Sequence, residues 1–92
     1  MNLSERDRAV NWHPYTQHKT TGLLPAIVKG EGALLWDDNG KEFIDAIASW
    51  WVNPFGHSNT FIADAIYKQL TTLEHVLFGG FTHNVVVELA EK

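Results

Sequence analysis

The sequence predicts an α+β fold, a small antiparallel sheet followed by an amphipathic helix, on three observations. Asn39-Gly40 sits between the apolar runs Ala33–Trp36 and Lys41–Ala46, the strongest short-range signal for a hairpin. Phe61, Ile62, Ala65, Ile66, Leu70 and Leu73 recur at three- and four-residue spacing, the period of one helical face. An earlier apolar run, Leu23–Val28, ends at Gly30-Glu31-Gly32 and supplies a further strand.

The elements follow in order. Ser4 to Asn11 reads as a short helix capped by Ser4, with Asp7 at the capping-box position. Pro14 keeps Trp12–Gln17 extended or turning. Both Asn39 and Gly40 tolerate the positive φ of a type I′ turn, and Lys41–Ala46 is the return strand, with Phe43 and Asp45 on one face. After Ser49-Trp50-Trp51 the alternation breaks down, and Asn53–Ser58 is a loop. Asn59 is the expected cap of the Phe61–Leu73 helix, and Asn84 that of a last helix through Val85–Leu89. Trp36, Phe43 and Phe61 are assigned to the core.

Composition narrows the function classes. Ninety-two residues make one small domain at most, with a large surface relative to its interior. The chain has no cysteine, which removes disulfides, zinc-thiolate sites and a catalytic thiol, and which fits a reducing cytoplasm. A net charge of −4 with seven scattered basic residues leaves no nucleic-acid footprint, and no segment is long and apolar enough for a membrane span. The five histidines lack the i, i+4 spacing of a zinc helix, and the glycines lack phosphate-loop spacing. A serine-histidine pairing of Ser49 or Ser58 with His57 has no pattern behind it, and Asp45 reads as a solvated or capping carboxylate rather than a general base.

What remains is aromatic. Adjacent indoles at Trp50 and Trp51 point in different directions on any regular backbone, so at least one faces a cleft, a ligand or a partner, or else seals the end of a core. Tyr15 and Trp50 sit in loops, and a phenol with an indole offers flat walls for a planar ring or a sulfonium cation.

Trp12-His13-Pro14-Tyr15-Thr16, Asp45 with Ser49-Trp50-Trp51, Gly56-His57, and His75-Val76-Leu77-Phe78-Gly79-Gly80-Phe81-Thr82-His83 resemble, in order and spacing, the N-terminal part of class-III pyridoxal-phosphate aminotransferases. The Trp-His-Pro-Tyr and Ser-Trp-Trp elements are closest to the adenosylmethionine-8-amino-7-oxononanoate branch, the diaminopelargonic acid synthases of biotin synthesis. The pattern departs at Phe55, where many members have histidine, at Asn59-Thr60, often His-Pro, and at Val85, often proline.

The resemblance implies the N-terminal segment of a fold-type-I enzyme, residues 1–92, cut before the large cofactor-binding domain. It implies transfer of an amino group from S-adenosylmethionine to 8-amino-7-oxononanoate, with pyridoxal 5′-phosphate as cofactor. By the same resemblance Tyr15 and Trp50 line the substrate pocket with Trp51 beside them, and Leu77, Phe78, Gly79 and Gly80 reach the active site of the other subunit of a homodimer. The cofactor lysine belongs to a later region of the family, so the segment alone is expected to be inactive. Other class-III substrates, such as ω-amino acids or ornithine, and a non-catalytic association module are the competing readings.

Overall fold

The structure is a computed structural model describing residues 1–92. It divides into two units, Met1–Asn59 and Thr60–Lys92.

The first unit opens with α1 (Leu3–Val10). Its cap is Asn2 and not the expected Ser4: the Asn2 side chain accepts from the Glu5 amide while the Glu5 carboxylate accepts from the Asn2 amide, closing a capping box two residues earlier. The helix then anchors the chain that follows. The Arg8 guanidinium donates to the carbonyls of Thr21 and His18, and Asp7 accepts from Asn11 (2.8 Å) and meets His13 Nε2 (2.7 Å).

Three strands, β1 (Ile27–Glu31), β2 (Leu34–Asp37) and β3 (Glu42–Ile44), form an antiparallel sheet in sequential order. The expected fold class is thus observed, with β1 displaced toward the glycines relative to the apolar run. The β2–β3 turn differs in kind from the expected type I′. Only Gly40 takes positive φ (80°); the Gly40 amide bonds the Asp37 carbonyl, and the Asp37 carboxylate accepts from the amides of Asn39 and Lys41. An aspartate that closes its own turn favours type I geometry, with glycine taking the left-handed residue of the bulge that follows. Asp37 is the one buried residue of the chain.

Register puts Gly30, Leu35 and Phe43 side by side across the sheet. The Asp45 amide extends this pairing by donating to the Ala33 carbonyl (2.8 Å). Because Gly30 has no side chain, the space over Leu35 is open, and His57 fills it: a Cβ at Gly30 would lie 2.9 Å from His57 Cβ. The His57 backbone also pairs with Gly32, through N–H···O bonds of 2.8 and 3.1 Å.

After β3 comes the four-residue helical turn α2 (Ala48–Trp51), and the second unit holds α3 (Thr60–Thr72) and α4 (Asn84–Ala90). The periodic segment is helical as its spacing predicts. The cap of α4 is His83, whose side chain accepts from the Val86 amide, and not Asn84, which is the first helical residue. Phe61 is not core: it is 83% exposed, and no hydrophobic residue of the whole chain is fully buried. On the same helix Ile66 and Leu70 are exposed as well.

Candidate functional site

Where the sequence reading expects a strand to give way to a loop, the chain makes one turn of left-handed helix. Ala48, Ser49, Trp50 and Trp51 have φ of 48°, 49°, 68° and 67°. The turn closes through the Trp51 amide to the Ile47 carbonyl (2.8 Å) and the Asn53 amide to the Ala48 carbonyl (3.0 Å). None of the four is glycine, and the left-handed region costs an L-residue about 1–2 kcal/mol because Cβ crowds the following carbonyl oxygen. A run of such residues persists only where surrounding contacts over-determine it.

Those contacts are polar. Asp45 Oδ1 accepts from the Ser49 amide (2.8 Å), Oδ2 accepts from the Ser49 hydroxyl (2.6 Å), and Oδ2 lies 2.5 Å from His57 Nε2. The Asp45 side chain is only 7% exposed. The Ser49 hydroxyl, the Ser49 amide and the His57 ring together hold its carboxyl well below the usual carboxylate range, at about 2. The Ser49–His57 pairing considered from sequence therefore exists as a 3.5 Å approach, with the carboxylate as the group that joins them. This is not a nucleophile relay: the Ser49 hydroxyl is directed at the carboxylate, and the imidazole nitrogen faces the same oxygen. Asp45 does act as a capping carboxylate, as read, but for a left-handed turn.

The turn presents the aromatic residues. The Tyr15 and Trp50 rings meet edge to face with centroids 5.3 Å apart, and Trp51 lies 6.4 Å from Trp50. Tyr15 is itself left-handed, at φ 55°. Its loop is closed by Trp12 Nε1 donating to the Thr16 carbonyl (3.1 Å) and by the Thr16 hydroxyl donating to the His13 carbonyl (2.6 Å). The rings stay open to the outside: Tyr15 is 90% exposed, Trp50 54% and Trp51 78%. Residues 35 positions apart in sequence are thus brought to one surface. Such a wall can stack on a flat ring or face a cation, and the phenol and indole add hydrogen bonds at its rim.

Leu77, Phe78, Gly79 and Gly80 lie in the second unit, in a turn closed by the Gly80 amide to the Phe78 carbonyl (2.9 Å). Leu77 and Phe78 are exposed. Gly80 has φ 148° with open space around it, so backbone freedom is the reason for glycine that this chain itself displays. Two lysines of the first unit lie over aromatic rings of the sheet: Lys29 over Trp36 (4.6 Å) and Lys41 over Phe43 (5.0 Å). No helix of the chain is long and apolar enough to cross a membrane.

Comparison with known proteins places this geometry. The class-III aminotransferase profile matches residues 15–92. The adenosylmethionine-8-amino-7-oxononanoate aminotransferase of Helicobacter pylori is 38% identical over 94 residues, covering 99% of this chain and 21% of that protein. The enzyme of the same name from Synechococcus elongatus is 46% identical over 79 residues, covering 86% of this chain and 19% of that protein. Among solved structures, the enzyme of that name from Methanocaldococcus jannaschii superimposes with a TM-score of 0.88 at 36% identity, over 97% of this chain and 21% of that one. An omega transaminase from Pseudomonas jessenii in complex with PMP does so with a TM-score of 0.87 at 37% identity, over 99% of this chain and 21% of its own. The chain spans about a fifth of the length of the relatives it matches. With its profile match and its fold agreeing over nearly every residue, this chain belongs to the class-III aminotransferases.

Proposed function

We propose that residues 1–92 are the N-terminal segment of an aminotransferase that moves an amino group from S-adenosylmethionine to 8-amino-7-oxononanoate, giving 7,8-diaminononanoate for biotin synthesis. The observation that carries this reading is the exposed Tyr15–Trp50–Trp51 wall, supported by the names of the relatives above. An adenine ring, a sulfonium centre and a long oxo-acid chain all suit flat aromatic walls. Absence of any fully buried hydrophobic residue supports a segment whose apolar faces are covered by further polypeptide.

Within such an enzyme Tyr15 and Trp50 bind and orient the substrates, Trp51 backs Trp50, and Leu77–Gly80 contributes to the neighbouring active site of a homodimer. Class-III aminotransferases depend on pyridoxal 5′-phosphate, which supplies the electron sink for moving the amino group. This chain's share is to shape the pocket and exclude water, so the segment alone is inactive. Nothing in the composition or in the site calls for nucleic acid or membrane, and the enzyme acts in the cytoplasm.

The test is an assay of the full-length enzyme with both substrates. Trp50→Ala lowers kcat/KM about a hundredfold and Tyr15→Phe about tenfold, the range expected when binding groups at a site are truncated. Unchanged kinetics in both variants would sink the site assignment. Similarity to the omega transaminase favours a second reading, with an ω-amino acid as donor. Turnover with pyruvate as acceptor, and none with S-adenosylmethionine as donor, would select it.

A further inference from the structure

The left-handed turn is held by side chains to which the proposed reaction gives no role. Asp45 lies just past β3, Ser49 in the turn and His57 after Gly56, and they converge on one nearly buried carboxylate. His57 is fixed three ways: its backbone is bridged to Gly32, its Cβ occupies the space left by Gly30, and its ring meets Asp45. The neighbouring Ser58 hydroxyl adds a bond to the Gly30 carbonyl (2.6 Å). Both Ser49 contacts to Asp45 form across one turn, joining the turn to the end of the sheet.

Resting on the reading of Tyr15 and Trp50 as a substrate wall, we propose that Asp45, Ser49 and His57 are positioning residues, a polar clip that holds Ala48–Trp51 left-handed and so sets the indole of Trp50 against Tyr15. The sequence of causes is specific. Without the clip, Ala48, Ser49, Trp50 and Trp51 relax toward the right-handed or extended regions, where each is more stable. Inverting φ at Ser49 and Trp50 redirects the Trp50 indole away from the ring of Tyr15.

Two substitutions at one position separate holding from mere presence. Ser49→Ala removes the hydroxyl and keeps the steric cost of positive φ. Ser49→Gly also removes the hydroxyl but abolishes that cost, since glycine takes positive φ freely. A third variant, Gly30→Ala, removes no clip group and displaces His57, because its new methyl would sit 2.9 Å from His57 Cβ.

The full-length enzyme is labelled with 5-fluorotryptophan, and the Trp50 resonance is assigned as the one missing in Trp50→Phe. Ser49→Ala and Gly30→Ala are expected to move that resonance, whereas Ser49→Gly leaves it in place. Ser49→Ala is further expected to raise KM for the acceptor about fivefold, the effect of one ordinary hydrogen bond. An unmoved resonance in Ser49→Ala, or an equal displacement in Ser49→Gly, overturns the clip. If Trp50→Ala loses activity while Ser49→Ala leaves the resonance unmoved, the clip fails and the aromatic wall stands. A moved resonance with wild-type kinetics in Trp50→Ala supports the clip and removes the wall.

Discussion

The turn Ala48–Trp51 and the helix α3 are opposite solutions to the same task of presenting aromatic and aliphatic side chains. In α3 the residues sit in the right-handed region open to every L-residue, and Phe61, Ile66 and Leu70 are exposed. In the turn each residue sits where its own backbone is disfavoured, and a nearly buried carboxylate with its donors holds it there. Local preference builds the helix and distant side chains build the turn. The first can be read from a window of sequence; the second requires knowing what lies twelve residues away.

The largest test of this contrast is proline. In the full-length protein Ala65→Pro, in the middle of α3, should cost about 3 kcal/mol by removing a backbone donor and clashing with the preceding turn. A loss of helical circular dichroism and a lower Tm would record it. An unchanged Tm would mean that α3 is not held as a continuous helix.

Glycine should then act with opposite sign in the two regions. Ala65→Gly should destabilise by about 1 kcal/mol, through lost helix propensity. Ala48→Gly should stabilise by about 0.5–1 kcal/mol, since relief at φ 48° outweighs the added freedom of the unfolded chain. Urea unfolding at constant m-value reads both. Destabilisation by Ala48→Gly would show that the turn is not under strain.

Acid probes the turn through the carboxylate that holds it. The Asp45 carboxyl falls from its ordinary 3.8 to about 2 because Ser49 and His57 favour its charged form. A depressed folded value means that this contribution to stability is complete above about pH 4 and is lost as pH falls through about 2. Asp7 is also lowered, by Asn11 first and His13 second, and works in the same direction. The stability gap between wild type and Asp45→Asn should therefore narrow as pH drops from 4 to 2, as followed by near-ultraviolet circular dichroism of the indoles. A gap independent of pH across that window would remove the charged form of Asp45 from the account.

Legibility followed the same division. The period of Phe61 to Leu73 gave the helix, and Asn39-Gly40 gave the strand pairing, since both signals are local. Tyr15, Trp50 and Trp51 were legible as a set through resemblance, and the ring contacts join them in space. Caps slipped by one or two residues, because Asn2 and His83 are chosen by which side chain reaches an N-terminal amide, and several neighbours are chemically able. The left-handed turn was invisible for a deeper reason: alanine, serine and two tryptophans all argue against it individually. Asp45, Ser49 and Gly56-His57 were its only traces, and their meaning lay in contacts that join the end of β3 to the loop beyond the turn.

The clip also separates two kinds of inheritance. Backbone shape at the wall is written in Asp45, Ser49 and His57, whereas the surface it shows is written in Trp50 and Trp51. Side chains at 50 and 51 make no hydrogen bond in the clip, so they can be exchanged for smaller or larger groups while the turn keeps its course. A lineage, or an engineer, can thus revise that aromatic surface one residue at a time, without first reinventing the bend that carries it.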